Sequence, residues 1–289
     1  MGSRTREGPM TEPNDPREIL RRIGAGPDDG FDLAEAALAL AALDVPDVPP
    51  DLSFDAYRVQ LGRMARDLAQ AAEDADDLPT RCAALAATIH EEYGYDGDTV
   101  TYDDLQNANL MRVIDRRKGL PIALGILYID AARRQGWDIA GLSFPGHFLL
   151  QLDGAGDRAV IDPFHQGRIC DAGEMRALLK TLQGADAELT PEHYRRVSDR
   201  EVLLRLRNNV KLRLMQLDRF DEAARTVGSM LLFAPGALLL WREAGILNAR
   251  AGNLSDAIGA LETYLEHETR ERARQEVASY LQRLRRSLN

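Results

Sequence analysis

Towards its C-terminal end the chain repeats itself. Arg219-Phe220-Asp221-Glu222-Ala223 returns as Asn253-Leu254-Ser255-Asp256-Ala257, and the two alanines stand 34 residues apart. A period of this length on a helical pattern makes each unit a pair of antiparallel helices, with the alanine where the helices approach closely. Such a unit cannot bury its faces alone, so two of them and a final helix over about 270–287 must lean on the chain before them. Ser198, with Glu201 three residues later, is an N-cap signature that opens this helical stretch.

Composition bounds the rest. With 45% hydrophobic and 28% charged residues, 289 residues make a globular protein of two or three units. The net charge of −10 is uneven: residues 1–100 carry −12, residues 101–200 carry −1 and residues 201–289 carry +3. Without a concentrated basic stripe the chain is not expected to bind nucleic acid, where phosphate neutralisation dominates affinity. The longest apolar stretch, around Leu120 to Ile129, is far short of the roughly 18 residues a membrane span needs, so no membrane partner is expected. Residues 1–15 are polar, lack the apolar segment of a secretory signal and read as a disordered tail. Two cysteines, Cys82 and Cys170, imply no disulfide framework and fit a reducing, cytoplasmic location.

Residues 16–97 read as a helical N-terminal subdomain. Leu33, Ala36, Ala37, Leu40 and Leu43 share a helical face that stops at the Val45–Pro50 breaker, Phe54 to Leu68 carry a second stripe, and Cys82, Leu85 and Ile89 a third. From 98 to 197 the pattern mixes. A helical pattern runs from Asp103 to Asp115, and Leu120-Pro121-Ile122 opens a helix to about Arg134, proline costing nothing in a first turn. Ile139–Ser143, His147–Leu152 and Asp157–Asp162 read as strands, the last two joined by a turn at Asp153–Gly156 that sets His147 opposite Asp162. Asp171 with Glu174 caps a helix over about 172–183. Residues 198–289 hold the repeats.

The period is that of the tetratricopeptide repeat. Pro235 falls where that repeat places its closing proline, while Trp241, Gly245 and Ala257 fill its tryptophan, glycine and small-residue positions. Four further stretches, Asn107-Ala108-Asn109-Leu110, Arg116 to Leu124, Phe144-Pro145-Gly146-His147-Phe148 and Ile161-Asp162-Pro163-Phe164, occur in an order that resembles the SirB-type branch of the transglutaminase-like superfamily. The resemblance covers most of the chain from about residue 30. It implies an α+β, papain-like core in which a cysteine at a helix N-terminus works with a histidine and an aspartate on neighbouring strands. That chemistry needs an imidazole and a helix N-terminus to lower the thiol pKa, and a carboxylate to orient the ring.

By this resemblance His147 and Asp162 match the histidine and aspartate positions. The cysteine position falls at Gly119-Leu120-Pro121-Ile122, near Pro121, where no side chain can attack a carbonyl. Cys82 lies on the apolar face of a helix and reads as a buried, inert thiol; Cys170 precedes a helix cap with no basic neighbour closer than Arg168; Ser143 lacks a nucleophile-elbow context. His147, Asp162, His165 and Cys170 match no established zinc spacing, so neither metal nor cofactor is expected. Arg116-Arg117-Lys118 reads as a solvated or internally paired charge run, His90, His193 and His267 as surface residues, and Trp241 as repeat packing. The expected function is a catalytically inactive transglutaminase-like scaffold that binds a protein or peptide partner through residues 198–289. The alternative is a cysteine hydrolase or acyltransferase in which Cys82 or Cys170 folds back on His147.

Overall fold

Aspartates start most of the early helices. In the computed structural model, which describes residues 15–44 and 54–287, Asp15 accepts from the Arg17 N–H, Asp32 from Glu35 and Asp77 from Thr80. These caps satisfy backbone donors that a helix start leaves unpaired. They open α1 (Pro16–Ala25), α2 (Leu33–Leu43) and α4 (Leu78–Ala86), while α3 spans Asp55–Ala71. α4 runs on into a π-helical turn at Ala87–Glu92. The tail expected over 1–15, apart from Asp15, and the Val45–Pro50 breaker lie outside the described residues.

The stretch from Asp103 to Asp115 is two pieces. A 3-10 turn at Leu105–Ala108 ends at Asn109, whose side chain caps α5 (Leu110–Arg116) by accepting from the Arg112 N–H. α6 (Pro121–Arg134) begins on its proline, as the sequence implies, and is buried along Pro121 to Ala132. With the alanine-rich α2 it forms the middle of the molecule, and the two helices pack against each other and against α8 (Asp199–Gln216). A short parallel bridge pairs β1 (Asp96–Gly97) with β2 (Lys118–Gly119) just ahead of α6.

The sheet is an antiparallel meander of β3 (Ile139–Gly141), β4 (Leu150–Asp153), β5 (Arg158–Asp162) and β6 (Arg168–Ile169). Its register corrects the sequence reading. Asp153 pairs with Arg158 and Leu150 with Ile161, so the turn is Gly154–Asp157, one residue later than expected. The Gly154 N–H closes it on the Asp157 carbonyl, and Gly156 takes a left-handed φ of 93° that glycine adopts without strain. His147 therefore lies outside the ladder, in a bend ahead of β4.

Capping boxes at Asp171 and Ser198 open α7 (Ala172–Gln183) and α8 at the expected residues. The repeat helices follow: α9 (Phe220–Phe233), α10 (Leu238–Ala251), α11 (Leu254–His267) and α12 (Glu271–Ser287). Ala223 and Ala257 are fully buried, and the Gly245 Cα lies so close to Leu261 that an added Cβ would stand 2.5 Å from it. Trp241 packs at the joint and donates its indole N–H to the Pro235 carbonyl. The main apolar core is continuous from Ile19 on α1 through α6 to Phe233 and Leu247 in the repeats. The array leans on what precedes it at two places. α1 docks on α9, its Gly24 packed against the Leu232 carbonyl. On α8, the buried Arg207 guanidinium holds Asp44 through two bonds of 2.6 and 2.9 Å.

Candidate functional site

Phe148 positions the histidine. Its ring is wedged between Gly125 on α6 and Gly141 on β3, where an added Cβ would stand 2.6 and 2.5 Å from it. Neither position tolerates a side chain while that ring stays in place. The wedge ties the bend carrying His147 to the helix at whose start the superfamily's nucleophile would stand.

Asp162 ends β5 and has no exposed surface. Its Oδ1 accepts from the backbone N–H groups of Phe164 (3.0 Å) and His165 (3.3 Å) and lies 3.0 Å from His147 Nε2; its Oδ2 lies 2.7 Å from His165 Nδ1. Burial pushes the Asp162 carboxyl up, but the hydrogen bonds and charge of His147 and His165 outweigh it, and its pKa falls below the ordinary carboxylate value. An ionised carboxylate only accepts, so both ring nitrogens facing it carry hydrogen. His147 Nδ1 and His165 Nε2 make no hydrogen bond among the described residues. The His147 side chain is almost buried, with Phe164 edge-on to its ring, while His165 is half exposed.

The turn after Asp162 is fixed at several points. The Gly167 N–H returns to the Asp162 carbonyl, Gln166 and Gly167 both adopt left-handed φ, and the Phe164 ring lies against Gly97 of β1. Tyr128 of α6 reaches the same turn, its hydroxyl 2.5 Å from where a Gly167 Cβ would stand. That hydroxyl is buried and has no hydrogen-bond partner among the described residues. Burial, with the negative charges of Asp162 and Asp96, pushes its pKa up.

At the expected nucleophile position, Leu120, Pro121 and Ile122 are buried and apolar, with Leu120 as the extended N-cap of α6. Cys82 packs in the main core, and burial pushes its thiol up to about 11. Cys170 packs with Leu142, Phe144, Leu149, Val160, Met175 and Leu179 in a separate cluster, its thiol also pushed up to about 11, by burial and then by the Asp162 charge. Neither thiol hydrogen-bonds to His147 among the described residues. The Ser143 hydroxyl is taken up by Glu192 and Arg195.

The motifs around the site have structural tasks. Asn107 donates to the Thr101 carbonyl, accepts from Arg116 and takes the Leu120 N–H on its own carbonyl, which sets the start of α6. Arg116 also pairs with the buried Asp98 at 3.2 Å, Lys118 pairs with Asp96, and Arg117 stacks on the Tyr95 ring. The basic run is thus internally paired, as its sequence context implies. Outside the site, His90 faces the Tyr95 carbonyl, His193 accepts from the Thr190 N–H, and His267 faces the Thr263 carbonyl. His90 and His193 are partly buried, so only His267 is fully on the surface. Sequence reasoning weighed His165 only within a zinc pattern and gave Tyr128 no role. The signal for His165 was its place three residues after Asp162, inside the turn that aspartate caps.

A helix-led core, a meander sheet carrying a histidine–aspartate pair, and a helical repeat behind them define a transglutaminase-like protein with tetratricopeptide helices. The transglutaminase-like superfamily model matches residues 55–208 and a tetratricopeptide-repeat model residues 210–282, and the chain belongs to the transglutaminase-like superfamily. It is similar to a UPF0162 protein of Xylella fastidiosa (strain Temecula1), with 31% identity over 79% of this chain and 83% of the relative. A UPF0162 protein of Vibrio cholerae is 29% identical over 83% of this chain and 87% of its own. Among solved structures, that of menin, described as revealing the binding site for Mixed Lineage Leukemia protein, covers 85% of this chain and 68% of its own at 10% identity and a TM-score of 0.42. A transglutaminase-like domain joined to tetratricopeptide repeats suggests a protein-interaction module with protein partners. No helix among the described residues is long and apolar enough to cross a membrane.

Proposed function

We propose that this chain is a catalytically inactive transglutaminase-like scaffold that binds a protein or peptide partner through the helices of residues 198–289. One observation carries the reading: the imidazole that would activate a nucleophile makes no hydrogen bond to a thiol or hydroxyl among the described residues. The helix start offers Leu120 and Pro121, and both thiols sit in apolar clusters. Burial holds both thiols at about 11, so they stay protonated at neutral pH and neither is an activated nucleophile. The repeat helices support the binding half, since Leu212 on α8 and Leu239 on α10 are large apolar side chains more than half exposed to solvent.

The test joins two measurements. A thiol-directed alkylating probe at neutral pH is expected to leave native Cys82 and Cys170 unlabelled and to label both after unfolding. Partner capture by the full chain is expected to survive His147→Ala and to be lost with Leu212→Asp and Leu239→Asp together. Labelling of a native thiol that disappears in His147→Ala would instead establish a working thiol–imidazole pair and overturn the reading.

A further inference from the structure

The side chains gathered at the end of β5 suit a metal ion. We propose that His147 Nε2, His165 Nδ1 and the Asp162 carboxylate form a binding site for a first-row divalent transition ion of the zinc class. The ligand atoms of these three residues lie within 4.8 Å of one another, and the two imidazole centroids are 5.9 Å apart. Two imidazole nitrogens and one carboxylate oxygen are the donor set that borderline ions prefer, and three protein ligands leave a coordination position open.

Asp162 suits the task because it is fully buried and oriented by the backbone N–H groups of Phe164 and His165, the outer-shell support that ligating carboxylates receive. His165 is half exposed, which supplies an entry path. The site forms by a change of tautomer. Each ring moves its hydrogen from the nitrogen facing Asp162 to the opposite one, His147 Nδ1 or His165 Nε2. Neither of those holds a hydrogen bond among the described residues, so the tautomer change breaks only the bonds that the ion replaces. His147 Nε2 and His165 Nδ1 approach different oxygens of Asp162, at 3.0 and 2.7 Å, and an ion at about 2.0–2.2 Å from each donor opens these contacts and draws the two imidazole nitrogens together.

A second feature of the same turn points to a ligand. The Tyr128 hydroxyl, buried against Gly167 without a hydrogen-bond partner among the described residues, is a donor available to a further group bound at this turn. Cys170 is not part of the three-residue cluster, so the site is nitrogen and oxygen only.

The experiment uses the full chain, stripped with a chelator and titrated with Co2+ by visible absorption and with Zn2+ by calorimetry. The expected result is one ion per chain, with binding at least about tenfold weaker in His165→Ala. Because His165 is half exposed, water takes the place of its ring beside Asp162 and the fold is kept, which circular dichroism checks. His267→Ala, a surface histidine elsewhere, is expected to bind as the parent does. Absence of both the Co2+ band and Zn2+ heat at micromolar concentrations overturns the proposal. Binding that is undiminished in His165→Ala overturns it as well.

Discussion

Asp162 carries four hydrogen bonds on two oxygens with no access to water. Such a group is stabilising only while every partner is in place, because a buried charge without its donors costs several kcal/mol. Asp162→Asn retains Oδ1 for three donors but turns Oδ2 into an amide that must meet a re-tautomerised His165. The variant is expected to lose about 1–2 kcal/mol in urea unfolding at neutral pH. The same carboxylate gives stability a pH dependence. Its folded pKa lies below the unfolded value of about 3.9, so on acidification the unfolded chain takes up the proton first. The stabilisation is complete well above that value and is lost as pH falls through the folded pKa. Urea midpoints measured from pH 6 downwards should therefore fall more steeply in the parent than in Asp162→Asn, and parallel curves would refute this.

At the scale of elements, Gly125 sets two effects against each other. In a helix interior alanine is better than glycine by about 1 kcal/mol. Here the methyl would stand 2.6 Å from the Phe148 ring, which Gly141 blocks on its other side. Overpacking of this kind costs about 1–3 kcal/mol. Gly125→Ala is expected to lower the midpoint of thermal unfolding despite its better propensity, and a rise would show that Phe148 can move aside. The helices around this wedge were legible because capping residues are local: Ser198 with Glu201, Asp171 with Glu174, and Pro121 each mark a start that depends on neighbours a few residues away. The hairpin was legible only in part. Both glycines of its turn were visible, but which carries the left-handed φ decides the register, and the loop lies one residue later than the strand pattern implies. The error kept the parity of the pairing, but His147 lies in the bend ahead of β4, so its approach to Asp162 comes from the Phe148 wedge and not from strand alternation. His165 and Tyr128 escaped a site role because their positions follow from a left-handed pair at Gln166-Gly167 and from a contact between α6 and that turn, neither of which leaves a periodic trace.

Across the whole molecule, the repeats and the transglutaminase-like core share one apolar interior. Val202, Leu203 and Leu206 of α8 belong to the same cluster as Leu40 of α2 and Leu127 of α6. α8 also binds the earlier chain by charge: Arg200 reaches the Asp28 side chain and the carbonyls of Ile23, Gly26 and Pro27, and Asp199 pairs with Arg133 at 2.8 Å. A chain ending at residue 197 would expose that shared face and remove the ion-pair partners of Arg133 and Asp44. It is expected to lack the cooperative thermal transition of the full chain, and a sharp transition in the shortened form would refute this.

The docking of α1 on α9 also sets the order in which the molecule can be completed. Ile19 and Leu20 leave the ribosome early, while the surface built around Met230 and Phe233 follows about 200 residues later. At about 5–20 residues per second, that is on the order of 10–40 s during which α1 has α2 to pack against but not the α9 surface that completes its seat. The seat of α1 is complete only once the repeats are made, although its contact with α2 is available from the start.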